Sequence, residues 1–331
     1  MCCQSNRRGS ILIVGLWVLV FLGGLAVAVG VQVAARLELA RRLDGRLRGR
    51  SMAQLAAAKA VAVLDADTNG WDGFSERWAA SPGDFSNSVA TGGSYALIAV
   101  RDVSDGTTVT NFGLNDESAR VDINAARTPL LSALLQTAGG IGAAQAAALA
   151  AKIEKSKTPK DRDPEAGAAG GAPEGRGPFL SIHELRLVEG LNPALFDKLR
   201  DVVTVGGGSR VNVNTAGRTV LLSVARAADP SGTASTGVAG ALVRKVLKFR
   251  ESGGMFTSYA GLGMAAALTQ REQLSGDEAA LFQKMSAYLA VSSDRFRGVA
   301  WGGATGKGGP SRVIEFVWDR RQRKMVFWHE D

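Results

Sequence analysis

Residues 7–31 read RRGSILIVGLWVLVFLGGLAVAVGV, and residues 11–31 carry no charged and no strongly polar side chain. An α-helix rises about 1.5 Å per residue, so this run is long enough to cross a hydrocarbon core of about 30 Å. Its length and composition therefore predict a membrane-spanning helix near the N-terminus.

The helical pattern continues beyond the apolar run. Leu39, Leu43 and Leu47 recur every four residues, and residues 56–62 are rich in alanine. This spacing predicts one continuous helix over residues 10–64, about 80 Å long, with its first half in lipid and its second half packed on a globular domain.

Three kinds of N-terminal segment have an apolar core of this type. A cleaved secretory signal has a core of roughly 7–15 residues and a small-residue cleavage site, whereas this run is longer and continues as a helix. An uncleaved signal anchor stays open as an alternative. The short basic leader that ends in Gly9 resembles a type IV prepilin-like leader. That resemblance implies cleavage after Gly9 by a prepilin peptidase, with Ser10 as the first mature residue, a cytoplasmic N-terminus and the bulk of the chain across the membrane.

Val14 stands at the fifth position of the mature helix, where pilin-like proteins usually carry a glutamate. In such filaments this carboxylate pairs with the terminal amine of the subunit above, and an unpaired ionised group in lipid is unfavourable. A subunit with no neighbour above it needs no such carboxylate. The hypothesis is that this chain lies at the distal end of a filament.

Charge and cysteine content narrow the function classes. The formal net charge is +8, and six arginines lie between residues 36 and 50, opposed there by Glu38 and Asp44. A basic segment beside a membrane predicts contact with anionic lipid or nucleic acid, or a solvated helix face. The only cysteines, Cys2 and Cys3, precede Gly9, so a mature chain would have no disulfide, thiolate ligand or cysteine nucleophile.

An acidic turn follows the predicted helix. Residues 65–76 fit the calcium-loop pattern D-x-D-x-N-G-x5-E, in which Gly70 makes the sharp turn. Asp72 departs from the pattern, because an apolar residue is usual there, and no second loop pairs with this one. The alternative is an acidic turn that closes the helix. The predicted oxygen ligands are Asp65, Asp67, Asn69, the Trp71 carbonyl and Glu76.

Two segments in the middle of the chain repeat each other. RVDIN at 120–124 matches RVNVN at 210–214, and FLS at 179–181 is echoed by FTS at 256–258. An apolar helical pattern follows each member of the first pair. The repetition predicts two related helical units, 119–205 and 206–285.

Polar residues near these repeats are interpreted as helix caps. Asn124 and Asn214 or Thr215 are predicted to cap the helices that follow them, and Ser181 with Glu184 is predicted to form a capping box.

Strand patterns lie on both sides of the helical units. Residues 94–103 and 107–112 precede the units, and 312–318 with 324–329 form a predicted hairpin after them. The sequence thus predicts an α+β fold in which residues 36–118 and 286–331 form one domain, interrupted by the large inserted helical region.

Six stretches, taken in order, resemble the type II secretion system minor pseudopilin K family. They are RRGSILIVGLWVLVFL (7–22), WDG with ERWA (71–73 and 76–79), DESARVDIN (116–124), PFLSIHELRLVEGL (178–191), VNVNTA (211–216) and VIEFVWDRRQRKMVFWHE (313–330). The resemblance implies a pilin-like domain with a small antiparallel sheet, two inserted SAM-like units, and a place at the tip of the pseudopilus, initiating or capping filament assembly for protein export. The absence of a glutamate at this position, here Val14, is itself a common feature of this family.

The resemblance also implies partners, a location and a metal. The partners are minor pseudopilins of the I and J types, the major pseudopilin, the prepilin peptidase and the inner-membrane assembly platform. The location is the bacterial inner membrane as a single-pass protein, and afterwards the periplasmic pseudopilus. Calcium occurs in the family, and Asp161, Asp163 and Glu174 fall where its acidic segments lie.

Catalytic motifs are sparse, and the chain is predicted not to be an enzyme. His183 and His329 are the only histidines, and neither belongs to a recognisable catalytic pattern. The alternative function is a membrane-anchored DNA-binding protein, as in DNA uptake. Residues 139–142, GGIG, resemble a helix-hairpin-helix turn, in which the backbone at Gly140 and Gly142 would bind phosphate.

Overall fold

The computed structural model describes residues 10–89, 93–102, 108–157, 177–232, 236–258, 261–304 and 312–331. Gly9, Asp161, Asp163 and Glu174 lie outside these ranges. The helices within them are α1 (Ser10–Asp65), α2 (Pro82–Phe85), α3 (Thr128–Thr137), α4 (Ala143–Lys157), α5 (Pro193–Leu199), α6 (Arg218–Ala228), α7 (Thr236–Glu251), α8 (Gly261–Thr269) and α9 (Gly276–Met285).

The strands divide into one large sheet and two short parallel pairs. In chain order they are β1 (Ser86–Val89), β2 (Gly93–Asp102), β3 (Thr108–Phe112), β4 (Asn115–Asp116), β5 (Val121–Asp122), β6 (Val203–Thr204), β7 (Val211–Asn212), β8 (Leu289–Ala290), β9 (Arg295–Ala304), β10 (Arg312–Asp319) and β11 (Lys324–Glu330).

The large sheet is antiparallel and joins strands from both ends of the globular part. Its order is β1-β2-β9-β10-β11, with β3 on β2 and β4 on β9. β2 pairs with β9, and β10 and β11 form the C-terminal hairpin. The α+β fold is therefore confirmed: a long N-terminal helix, a small antiparallel sheet, and a helical region between β4 and β9.

The C-terminal part of α1 packs on this sheet through small side chains. Ala53, Ala56, Ala57 and Ala60 are buried against the sheet, whereas the large apolar side chains from residue 11 to residue 47 are exposed. A Cβ at Gly302 of β9 would collide with the α1 backbone at Gly49 and Ala53. Close approach of helix and sheet thus depends on alanine on one side and glycine on the other. The prediction of one continuous helix is confirmed.

The inserted region contains two units with matching elements and a common apolar core. The first contains α3, α4, α5 and the parallel pair β5–β6. The second contains α6 to α9 and the parallel pair β7–β8. Helix α3 packs on α6 across the boundary between the units. The assignment of these units as SAM-like stays a prediction.

Asn124 and Asn214 make the same set of contacts in the two units, and neither is a helix cap. The Asn124 amide donates to Phe179 O (2.9 Å) and Val205 O (3.3 Å), and its Oδ1 accepts from Phe179 N at 2.8 Å. The Asn214 amide donates likewise to Phe256 O (2.9 Å) and Val291 O (3.3 Å), and its Oδ1 accepts from Phe256 N at 2.9 Å.

The capping prediction for Asn124 and for Asn214 or Thr215 is therefore wrong. The capping positions of α3 and α6 are Arg127 and Gly217, and neither makes a side-chain capping bond. Each asparagine uses both ends of its amide to clamp distant backbone, and the helix begins only after a further turn.

The capping box of Ser181 and Glu184 is present, but it opens a 3₁₀ helix, Ile182–Leu187.

Candidate functional site

The N-terminal part of α1 presents apolar side chains on all sides. Trp17 is 70% exposed, Phe21 71% and Val14 58%, and this is the one described helix long and apolar enough to cross a membrane. An apolar surface of this size needs lipid or other apolar helices around it. Ser10 is the first residue of α1.

Arginines follow the apolar part of the helix directly. Arg42 pairs with Glu38 and Arg48 with Asp44, each at 2.9 Å, and Arg50 reaches Glu330 at 2.8 Å. The other three arginines of the segment form no ion pair within the described residues; they are Arg36, Arg41 and Arg46.

The acidic turn after α1 is held by internal contacts. Arg323 Nη2 lies 2.8 Å from Asp65 Oδ2, and Arg320 Nη1 lies 3.1 Å from Asp67 Oδ2. The Asn69 side-chain amide donates to Glu76, whose other oxygen accepts from Gly73 N (2.8 Å) and Trp78 Nε1 (3.0 Å). The amide nitrogen of Trp71 donates to Asn69 Oδ1 at 3.0 Å.

The carboxylates that converge are not the full set predicted from the pattern. Asp67, Asp72 and Glu76 each bring an oxygen within 4.8 Å of the other two, whereas Asp65 is the last residue of α1 and pairs with Arg323. Asp72, the residue that departed from the calcium-loop pattern, therefore belongs to the cluster.

Asp72 is fully buried and lies at the centre of this region. Its Oδ2 accepts from Arg320 Nη2 at 2.6 Å and from Ser293 N at 2.7 Å, while its Oδ1 has no hydrogen-bond partner. Burial raises the pKa of Asp72 to about 7, and the neighbouring Arg320 opposes this rise. The sequence marked Asp72 only as a departure from the calcium-loop pattern, because its side-chain partners, Ser293 and Arg320, lie more than two hundred residues away.

A buried polar network joins the inserted region to the sheet. The Asn212 side-chain amide donates to Asp116 Oδ2 (3.0 Å), to Ser293 Oγ (2.9 Å) and to the Asp72 carbonyl (3.1 Å). Thr215 Oγ1 donates to Asp116 Oδ2 at 2.5 Å. Burial raises the pKa of Asp116. Asn212 lies in β7 of the second unit and Asp72 follows the end of α1, so the network fixes the second unit to the C-terminal end of the long helix.

The glycine turn proposed for phosphate lies between α3 and α4. Gly140 has a φ of +71°, which glycine adopts without strain, and Gly142 is exposed. The Lys198 ammonium donates to the Gly139 carbonyl at 3.2 Å across this turn. The DNA-binding alternative stays a prediction.

Among the residues that the structure describes, neither histidine ring makes a hydrogen bond to a serine or threonine hydroxyl. The His183 ring lies 5.4 Å from the Phe196 ring, and His329 Nε2 lies 3.0 Å from the Asp331 carboxylate on the surface. The expectation that the chain is not an enzyme stays a prediction.

Comparison with known proteins identifies a solved structure with a similar fold. No family model matches the sequence, and no curated protein matches it. Among solved structures, the chain is similar to one chain of the GspK-GspI-GspJ complex from the enterotoxigenic Escherichia coli Type 2 Secretion System. The TM-score is 0.56 at 16% sequence identity, and the likeness covers 91% of this chain and 99% of that chain. The chain therefore has the fold of a protein crystallised in that complex.

Proposed function

We propose that this chain is a minor pseudopilin of a type II secretion system that lies at the tip of the pseudopilus. The observation that carries the proposal is the shared fold over 91% of the chain, together with the apolar N-terminal part of α1. That helix anchors the subunit in the inner membrane as a single span. After cleavage at Gly9 the helix leaves the bilayer and packs with the helices of its partners.

The position of the inserted region supports a place at the tip. Asp72 N donates to Val291 O at 2.8 Å, and the Asp72 carbonyl accepts from Asn212, so the second unit contacts the chain seven residues after α1 ends. The inserted region is thus attached at the end of α1 that is farthest from the membrane. A subunit stacked above would have to occupy the same space, so the chain initiates or caps the filament.

Val14 supports the same place in the filament. A subunit at the tip has no neighbour above whose terminal amine needs a carboxylate partner, so an apolar residue is suited to this position. We expect Val14→Glu to leave secretion unchanged or weaken it. Improved filament assembly by this variant would contradict the tip position.

The partners are other minor pseudopilins, of the I and J types, and the major pseudopilin. The test is co-purification of the full chain with the I-type and J-type pseudopilins of the same organism, followed by measurement of protein export in cells that lack the chain. We expect a stable complex and a loss of export. Normal export without the chain would refute the proposal.

A further inference from the structure

The acidic turn after α1 already holds cations of its own. Arg320 Nη2 lies 2.6 Å from Asp72 Oδ2, its Nη1 lies 3.1 Å from Asp67 Oδ2, and Arg323 Nη2 lies 2.8 Å from Asp65 Oδ2. Both arginines belong to the turn between β10 and β11, at the opposite end of the chain. A segment with the sequence pattern of a calcium loop is therefore paired with guanidinium groups of the same chain.

Arg320 is held from several directions. Besides the two carboxylates, its Nη2 donates to the Ser293 carbonyl at 2.7 Å, its backbone N donates to Asp294 O at 2.7 Å, and its guanidinium carbon lies 5.1 Å from the centre of the Phe296 ring. A planar guanidinium with five donors can bridge two carboxylates and a carbonyl at the same time. This arrangement links the end of α1 to the sheet through one side chain.

The remaining predicted ligands are already engaged in hydrogen bonds. Asn69 and Glu76 are hydrogen-bonded to each other, and Glu76 also accepts from Gly73 N and Trp78 Nε1. A divalent cation among Asp67, Asp72 and Glu76 would lie close to the Arg320 guanidinium, and like charges at such distances repel strongly. The residues of this turn therefore do not fit calcium while Arg320 is present.

We infer that Arg320 takes the place of a divalent cation at this turn. Its guanidinium forms ion pairs with both Asp67 and Asp72 and links them, so the junction between α1, the inserted region and the C-terminal hairpin does not depend on calcium. The Arg320 side chain thus links the carboxylates that a bound metal ion would link in a calcium loop.

Removing the guanidinium should create a cation site. Asp72 is fully buried, and its Oδ1 has no hydrogen-bond partner. Without Arg320, the three carboxylates that lie within 4.8 Å of one another would have no counter-charge. Oxygen atoms in such a cluster are the ligands that Ca²⁺ prefers.

The test uses the full chain in detergent, with the second candidate loop disabled by Asp161→Asn, Asp163→Asn and Glu174→Gln. We expect the melting temperature of this parent variant to be the same in chelator and in millimolar calcium. Adding Arg320→Gln should lower the melting temperature in chelator by on the order of 10 °C, because it leaves a buried carboxylate unpaired. Calcium should then restore part of the loss.

Terbium luminescence provides a second readout, because Trp71 lies in the turn and Trp78 donates to Glu76, so both can sensitise a bound Tb³⁺ ion. Sensitised emission should appear with Arg320→Gln and disappear when Glu76→Gln is added. The matched control is Arg312→Gln at the start of β10, whose side chain contacts the Asp331 carbonyl and not this cluster. It should gain no response to calcium or terbium.

Two results would overturn the inference. One is a calcium-dependent rise in the melting temperature of the parent variant that Glu76→Gln abolishes, because calcium would then bind with Arg320 in place. This arm needs no substitution at Arg320, so it is decisive even if Arg320→Gln does not fold. The other is a folded Arg320→Gln variant with no response to calcium or terbium.

Discussion

The paired asparagine clamps allow one residue type to be tested in two environments of the same molecule. Asn214→Ala removes the two hydrogen bonds of the side-chain amide and the bond that Phe256 N donates to Oδ1. Asn214 is 2% exposed, so the backbone groups left behind cannot reach water. A buried group without a partner costs about 1–3 kcal/mol, and local relaxation of the chain re-pairs some of the three. We expect a loss of about 3 kcal/mol in the free energy of unfolding.

The matched control is Asn124→Ala in the first unit. It removes the equivalent three bonds, to Phe179 and Val205, but Asn124 is only half-buried, so water replaces part of what is lost. We expect a loss of about 1 kcal/mol, in the range of an ordinary hydrogen bond.

Thermal unfolding of the two full-length variants, followed by circular dichroism in the same detergent, measures the difference. A loss of 1 kcal/mol lowers the melting temperature by about 2–4 °C in a domain of this size, so the expected shifts are about 6–12 °C for Asn214→Ala and about 2–4 °C for Asn124→Ala. Equal shifts, or a larger shift for Asn124→Ala, would refute the assignment of the difference to burial.

Three further predictions concern the junctions of α1. Hydrogen bonds from Arg77 and Ser81 hold the pKa of Asp84 well below its usual value. The stability that this carboxylate contributes is therefore complete above the unfolded pKa of about 4 and is lost as the pH falls further. Asp84→Asn should flatten the acidic side of the curve of melting temperature against pH, and an unchanged curve would contradict this. Gly302→Leu should destabilise the protein by more than about 2 kcal/mol, because its side chain meets the α1 backbone. A Cβ at Gly303 would lie 3.7 Å from Ser94 Oγ, an ordinary contact, so Gly303→Ala should have little effect, and the melting temperatures of the two variants test the difference. Gly9→Val should block cleavage, so that mass spectrometry finds the leader on the purified chain.

Local patterns predicted the elements whose residues are neighbours in sequence. The apolar run and the four-residue spacing of leucines predicted α1, and the strand patterns after residue 311 predicted the β10–β11 hairpin. The repeated VDIN and VNVN segments indicated related units. Their asparagines were misassigned because the backbone that they clamp, at Phe179 and Phe256, lies 55 and 42 residues away.

The acidic turn shows the same limit for a site. The D-x-D-x-N-G pattern is local, but the cationic groups that pair with it, Arg320 and Arg323, lie about 250 residues further along the chain. Asp72 stood out only as a mismatch to the pattern, and its burial against Ser293 follows from the way β9 returns to the sheet. A metal-binding pattern in the sequence does not show whether a lysine or arginine side chain already occupies the position of the metal ion.

The pairing of β4 with β9 makes the inserted region an excursion that leaves and rejoins the sheet at adjacent points. Asp116 lies opposite Phe296, and Asn115 lies opposite Arg297. The hydrogen-bonded pairing of β4 with β9 is therefore independent of the length of the chain that connects them. The two ends of the excursion are close enough for a tight reverse turn to join them. Evolution or protein design can therefore enlarge, exchange or delete the inserted helical region while the paired strands β4 and β9 keep their register.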